Sequence, residues 1–145
     1  MESLPWDIAE TALALRRAFD RRAAELGVTR AQWRVLGRLA RHGGQRQVDL
    51  ADAMDIEPIT LCRIIDRLEE AGLVERRRDP GDRRAWQLFN TPLAEPLVGK
   101  LQALAESMEA DAFNGLSQRD LTQLSLHLAT IRSNVLAHEK AKVPA

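Results

Sequence analysis

The sequence contains one cysteine, Cys62, among its 145 residues. A single thiol cannot form an intramolecular disulfide framework or a multi-cysteine metal cluster, and it fits a reducing compartment. No apolar stretch approaches the roughly 18 residues that span a bilayer. The first residues, Met-Glu-Ser-Leu-Pro-Trp-Asp, lack the basic start and the apolar run of a signal peptide. We therefore expect a cytoplasmic protein.

The chain also lacks the residue patterns of catalysis and metal binding. It has no phosphate-loop glycine run, no nucleophile elbow and no cysteine–histidine motif. Its histidines, His42, His127 and His138, are scattered and have no acidic partner at ligand spacing. We expect no enzymatic activity, no cofactor and no metal.

An excess of charge is missing as well, because 21 basic residues balance 21 acidic ones. The distribution is uneven, however: residues 76–84 hold five arginines against Asp79 and Asp82. Attraction to phosphate depends on the charge near the phosphate, so a neutral total does not exclude DNA binding. The pattern predicts a local basic tip and a modest non-specific affinity.

Helical patterns dominate the rest of the chain. Residues 5–25 carry an apolar face and Gly27 ends the helix; a Thr29/Gln32 capping box then opens a second helix. The second helix is predicted to bury four residues, Trp33, Leu36, Leu39 and Ala40. A short third helix spans about 47–54, and a fourth runs from Pro58 to Ala71 with Leu61, Ile64, Ile65 and Leu68 on its apolar face.

A hairpin with a basic tip follows the fourth helix. Residues 73–78 and 85–90 read as two strands, and Asp79-Pro-Gly-Asp82 supplies the turn. A helix that fits a groove, followed by a basic finger that follows the phosphate backbone, suits duplex DNA. The predicted fold is therefore mainly α with a small β-hairpin wing, a winged helix-turn-helix.

The helices at the two ends have more apolar surface than the middle of the chain can cover. One of them follows Thr91, and Pro96 either kinks this helix or starts it. Another is the last helix of the chain, which begins at a capping box formed by Ser117 and Asp120. We expect a homodimer through interleaved N- and C-terminal helices. The single domain 1–145 then comprises a DNA-binding lobe, 28–91, and dimerisation helices, 5–27 and 92–138.

Three residues away from the buried face of the fourth helix are candidates for base contacts. The Arg63 fork matches guanine O6 and N7, unless Arg63 is a solvated arginine paired with Asp66. Ile59 suits a thymine methyl group, or is a stray exposed aliphatic residue. Thr60, which lies with Arg67 on the flank of the helix, either contacts DNA or caps the helix.

The wing supplies the candidates for groove and phosphate contacts. Arg84 is predicted to enter a narrow minor groove. Arg76 and Arg78 share one strand face and are predicted phosphate contacts, whereas Arg77 lies opposite. Asp82 either forms the turn or bonds Arg84 and fixes its rotamer.

Four further residues lie outside the wing and the fourth helix face. Arg46 and Gln47 start the short helix, whose N-terminal amides suit a phosphate. Cys62 is interpreted as a small side chain on a helix flank. Trp33 either belongs to the core or lines an effector pocket.

The segment Asp82-Arg-Arg-Ala-Trp-Gln-Leu-Phe-Asn-Thr91 resembles the wing of the MarR family, and SlyA-like members most closely. That family shows Asp-x-Arg, five residues, then Leu-Thr; Asp82, Arg84 and Thr91 are in register, and Asn90 replaces the usual apolar residue. Residues 58–69 and 72–76 also resemble the family's recognition helix and its exit. The likeness spans roughly residues 8–138.

The resemblance implies roles for residues and for the protein. Pro58, Ile59, Thr60 and Arg63 would face the major groove. Arg84, oriented by Asp82, would enter the minor groove, with Arg83 near phosphate. The family likeness further implies a bacterial homodimer, at the nucleoid when bound to DNA, that represses nearby genes and is released by a small anionic aromatic ligand. The alternative is a winged-helix adaptor that grips a protein partner.

Overall fold

The computed structural model describes residues 3–143. In chain order the elements are α1 (Leu4–Ala24), α2 (Arg30–Arg41), β1 (Gln45–Arg46), α3 (Gln47–Met54), α4 (Pro58–Glu70), β2 (Val74–Asp79), β3 (Asp82–Asn90), a 3-10 turn (Pro92–Ala94), α5 (Glu95–Ala112) and α6 (Gln118–Lys142). The strands form one antiparallel sheet in the order β1-β3-β2. This architecture confirms the predicted winged helix-turn-helix class. The chain forms two compact units, which divide between Met108 and Glu109.

Capping boxes start two of the helices, as the sequence predicts. At α2, Gln32 N–H donates to Thr29 Oγ1 at 3.2 Å and Thr29 N–H donates to Gln32 Oε1 at 3.0 Å. Ser117 and Asp120 exchange the equivalent pair of bonds at α6. Each box satisfies two donors that the first turn of a helix leaves without a partner. Pro96 lies in the first turn of α5, so it starts this helix and does not kink it.

Helix α4 is oriented by its apolar face. Leu61, Ile65 and Leu68 are fully buried, and Ile64 packs against them. Burying side chains of this size contributes about 1.5–3 kcal/mol each to folding. Ile59, on the opposite face, is 67% exposed. The predicted buried face of this helix is confirmed, and the residues on its opposite side are therefore exposed to solvent.

The buried face of α2 differs from the prediction at one position. Leu36 and Leu39 are buried as expected, but Ala40 is exposed and Val35 is fully buried in its place. At about 100° per residue, Val35 and Ala40 lie at opposite edges of the face, each about 40° from a buried leucine (Leu39 and Leu36, respectively). Helix periodicity therefore allows either edge, and the tertiary packing covers Val35 and leaves Ala40 exposed. Trp33 is half-buried. The side chains of Arg34 and Arg38 join α2 to α3, donating to the carbonyls of Met54 (3.0 Å) and Ala53 (3.1 Å) at the C-terminal end of α3.

The hairpin has a tighter turn and a longer second strand than the sequence pattern suggests. Only Pro80 and Gly81 separate the strands, and β3 begins at Asp82. Strand β1 was not predicted, because two residues carry no periodic signal; pairing of Gln45 with Leu88 makes it a strand. Asn90, expected to disturb an apolar position, donates from Nδ2 to the Leu36 carbonyl at 2.9 Å. This bond joins the end of β3 to α2.

Gly44 is predicted to be the glycine with the least tolerance for a side chain. Its φ of +83° is left-handed, and a Cβ would lie 3.1 Å from the Phe89 ring. Gly27 has a similar φ, +73°, but a Cβ there meets nothing within 4 Å. Gly27→Ala should therefore lower the free energy of unfolding by the left-handed backbone strain alone, about 1–2 kcal/mol. Gly44→Ala should lower it by more. Urea unfolding of both variants measures the difference; equal losses would contradict the steric contribution of Phe89.

Candidate nucleic-acid interface

Helix α4 presents five predicted contact residues on its exposed side. They are Pro58, Ile59, Thr60, Arg63 and Arg67. Within residues 3–143, neither Glu57, the residue before the helix, nor Thr60 makes a side-chain capping bond, so the capping alternative for Thr60 is wrong. The helix buries its other face in the core, and its outward polar groups therefore remain available to a partner.

The guanidinium groups of Arg63 and Arg67 form no ion pair or hydrogen bond within residues 3–143. The alternative for Arg63 was a pair with Asp66. That carboxylate instead accepts from Arg76 at 2.7 Å. All donors of the Arg63 fork are therefore free for an external acceptor, which base reading requires.

Arg83 and Arg84 at the start of β3 are exposed, and in the described part of the chain their guanidinium groups also have no partner. Asp82 Oδ1 accepts a hydrogen bond from the backbone N–H of Arg84 at 2.9 Å. This is the turn-forming alternative for Asp82. Asp82 therefore fixes the backbone of the arm here, whereas the predicted bond to the Arg84 side chain is not formed.

The arginines of β2 alternate between two faces, as expected for a strand. Arg78 lies over the Trp86 ring, 5.0 Å from its centroid, and donates to the carbonyl of Arg83 at 2.9 Å. Arg77, on the other face, pairs with Glu75 at 2.7 Å and lies 4.3 Å from the centroid of Phe89. Arg78 remains exposed, so a phosphate contact from it is sterically open.

Arg76 has a role that the sequence did not reveal. Its side chain is only 14% exposed. The guanidinium donates to Asp66 (2.7 Å) and Glu69 (3.1 Å) on α4, to the Cys62 carbonyl (3.3 Å), and to Gln47 Oε1 (3.2 Å) on α3. Burial lowers the pKa of Arg76, but the Asp66 and Glu69 carboxylates outweigh it and raise that pKa, so the group stays charged. Arg76 thus ties the wing to α3 and α4, and its donors are already occupied by protein acceptors, contrary to the predicted phosphate contact.

Arg46 is also committed within the protein. It lies in β1, directly before α3, and its Nε donates to Asp79 Oδ2 at 2.8 Å. Asp79 Oδ1 accepts from the Gly81 N–H at 2.7 Å. The hydrogen bond from Gly81, followed by that from Arg46, lowers the pKa of Asp79. The side chain of Arg46 remains 42% exposed, so solvent still reaches part of it.

The Asp79 interaction should make stability depend on pH in the acid range. A carboxyl whose pKa is lower in the folded state stabilises the protein above its unfolded pKa, about 3.9. This stabilisation is lost as the pH falls through the folded pKa. We expect the wild type to be more stable than Asp79→Asn at pH 6, and the difference to vanish well below pH ~4. Urea unfolding across this range checks the trend; a constant difference would contradict it.

A cleft of about 120 Å³ brings residues from four elements together: β1, α3, α4 and β3. It is lined by Arg46, Gln47, Val48, Pro58, Arg84, Ala85 and Trp86. Four of these were predicted site residues. Val48, which is 62% exposed, and Trp86 were not. Val48 lies off the buried face of α3 formed by Leu50, Ala51 and Met54, and this offset was the available sequence signal for it.

Trp33 joins α1 to α2. Its Nε1 donates to Asp20 Oδ1 at 2.8 Å, and its ring packs edge-on against Phe19 with the centroids 4.6 Å apart. Arg30 binds the same carboxylate. Nearby, burial and then the positive charges of Arg16, Arg38 and Arg30 lower the pKa of Arg34. Positive charge is thus concentrated around Arg34, while Trp33 itself contacts the Asp20 carboxylate.

Comparison with known proteins gives consistent matches. The model of the MarR family matches residues 28–86. The transcriptional regulator PA3341 is 34% identical, covering 93% of this chain and 99% of that chain with a TM-score of 0.85. The transcriptional regulator SlyA is 26% identical, with 92% and 94% coverage and a TM-score of 0.78. A putative MarR family regulator from Listeria monocytogenes, solved with 26mer DNA, has the same fold (24% identity, 100% and 99% coverage, TM-score 0.82). None of the helices within residues 3–143 combines the length and the hydropathy needed to span a bilayer.

Proposed function

The chain belongs to the MarR family of transcriptional regulators, and we propose that it binds a pseudo-palindromic operator in double-stranded DNA as a homodimer. Membership of a family of regulators agrees with the expectation that the chain is not an enzyme. One observation carries the proposal: Arg63 on α4 and Arg83 and Arg84 on the wing are exposed and have no acidic partner within residues 3–143. Unpaired guanidinium groups on a helix and an adjoining hairpin suit the grooves and phosphates of a duplex.

In the proposed complex, each surface reads a different part of the duplex. Helix α4 enters the major groove, where Arg63 binds guanine and Ile59 packs on a thymine methyl group. Arg84 enters the adjacent minor groove, with Arg83 and Arg78 beside phosphates. Gln47 and Pro58, the first residues of α3 and α4, line the cleft next to Arg84. The positive ends of these helices favour a phosphate there.

Exposed apolar side chains on the terminal helices support the homodimer. On α1 they are Leu4, Trp6 and Leu13, and on α6 they are Leu124, Leu126, Ile131, Val135 and Leu136. None of the residues of α6 is buried. Apolar surface of this extent is typical of an interface. A two-fold dimer would present two α4 helices to half-sites about one helical turn apart.

We further propose that the bound dimer represses transcription and that a small anionic aromatic ligand releases it. The positive charge around Arg34, the residue next to Trp33, supports this, since an anion there would offset the repulsion that Arg16, Arg38 and Arg30 exert on Arg34. Benzoate serves as a probe. It should raise the melting temperature and weaken DNA binding, and Trp33→Ala should reduce both effects. No change in either quantity at any benzoate concentration would contradict the ligand proposal.

Titration of genomic fragments at two salt concentrations tests the central proposal. A DNA-binding dimer should shift selected fragments and lose affinity steeply as salt rises, because phosphate contacts release counterions. The adaptor alternative predicts no binding to any duplex at either salt concentration.

Replacing Arg84 with alanine should weaken binding to nearly all sequences. It should also reduce the slope of log affinity against log salt by about 0.9 per subunit, roughly two for the dimer, because one phosphate-region cation is lost from each wing. Arg77→Ala is the matched control, since Arg77 is paired with Glu75 on the other face of the hairpin. Equal slopes for the two variants would contradict the role of Arg84.

A further inference from the structure

We propose that Arg46 and Asp79 form a positioning pair that fixes the wing tip in the orientation in which Arg84 binds DNA. This role rests on the proposed DNA binding. Arg46 belongs to β1, at one edge of the sheet, and Asp79 ends β2 at the other edge. Their 2.8 Å bond therefore crosses over β3, which lies between the two strands. The pair joins both edges of the sheet at the base of the tip.

The wing tip needs such a connection because the strand ladder is irregular there. The register of β2 against β3 shifts between Arg78 and Asp79. Strand pairing alone therefore does not determine where the turn points. Asp79 uses both carboxylate oxygens, one for Arg46 and one for the Gly81 N–H at 2.7 Å. The turn that leads to Arg84 is thereby attached at its first residue.

The pair also relates the tip to the helices. Arg46 directly precedes α3, and Arg46, Gln47 and Pro58 line the cleft together with Arg84. Asp79 is 9% exposed, so solvent competes little for its bond to Arg46. A fixed wing tip lowers the entropic cost of placing Arg84 in one groove of the DNA while α4 lies in the adjacent groove. The physical consequence is a preorganised spacing between α4 and Arg84.

Asp79→Asn gives a test in which positioning and charge predict opposite signs. Removing a carboxylate near DNA should tighten binding if only charge matters. Loss of positioning should instead weaken binding, by roughly tenfold. It should also lower the salt slope by about one per subunit, as Arg84 leaves its site. Glu75→Gln is the control: it also removes a carboxylate paired with an arginine, but that pair lies within one strand, and affinity should stay equal or rise slightly.

The Arg84→Ala background separates positioning from a general structural defect. If Asp79 acts by placing Arg84, Asp79→Asn should cause no further loss of affinity once Arg84 is alanine. Melting temperature and sedimentation confirm that each variant is folded and dimeric. Tighter or unchanged binding by Asp79→Asn, or the same loss of affinity in the Arg84→Ala background, would overturn the proposal. If the wild type binds no duplex at all, the DNA-binding function itself has failed instead.

Discussion

Arg63→Ala is expected to reduce the preference of the protein for its operator over random duplex DNA by about 1–3 kcal/mol per half-site. The reason is the fork of donors on Arg63, which remains free because Asp66 is bound to Arg76. A bidentate pair with guanine O6 and N7 is lost with the side chain, whereas non-specific phosphate contacts from the wing persist. Competition titrations of operator against random duplex, at one fixed salt concentration, measure this preference.

Arg63→Lys is the matched control for charge. Lysine keeps the positive charge but has no planar fork, so it cannot reproduce the bidentate geometry. We expect Arg63→Lys to keep the salt slope of the wild type and still lose most of the preference for operator. If lysine preserves the preference, Arg63 acts as a phosphate contact and the base-reading role is wrong.

Ile65→Ala is expected to lower the free energy of unfolding by about 2–5 kcal/mol. Ile65 is fully buried in the face of α4 that packs on the core, between Leu61 and Leu68. Shortening it removes apolar contacts and leaves a cavity that the surrounding helices fill only in part. Urea unfolding measures the loss, with all variants at one protein concentration because dimerisation couples to stability.

Ile59→Ala is the control on the same helix. Ile59 is 67% exposed, so its truncation should change stability by no more than about 0.5 kcal/mol. Its effect should fall on DNA binding instead, at half-site positions that carry thymine. The two isoleucines therefore separate stability from recognition. A large loss of stability at position 59, or a small one at 65, would contradict the assigned faces of α4.

The features that the sequence predicted correctly depend on neighbours within one turn. Spacing alone identified Leu61, Ile65 and Leu68 as the inward face of α4 and left Ile59 outside. The sequence also predicted the Thr29 and Ser117 capping boxes, because the two residues of each box are three positions apart. Such patterns carry their own geometry, since a helix repeats every 3.6 residues.

Contacts between residues that are far apart in the sequence could not be predicted from local spacing. The strand pattern predicts a phosphate contact for Arg76, but its guanidinium bonds to Gln47, 29 positions away, and to Asp66, ten positions away. The two residues of β1 became a strand only because β3 lies beside them. No local rule indicates which of several carboxylates an arginine meets. The composition of the tip showed that it is basic, but it did not show which of its arginines form bonds within the protein.

The sequence by itself determined the order of the helices, the hairpin, the buried face of α4 and the basic tip, because each follows from local spacing and turn chemistry. Only the tertiary structure decided which arginines bond within the protein and which are left for an external partner. Arg46 and Arg76 hold the wing to its surroundings, whereas the guanidinium groups of Arg63 and Arg84 have no partner in the described part of the chain. The physical reason is that an ion pair depends on distance in space, and folding alone brings residues more than 30 positions apart, such as Arg46 and Asp79, within 2.8 Å.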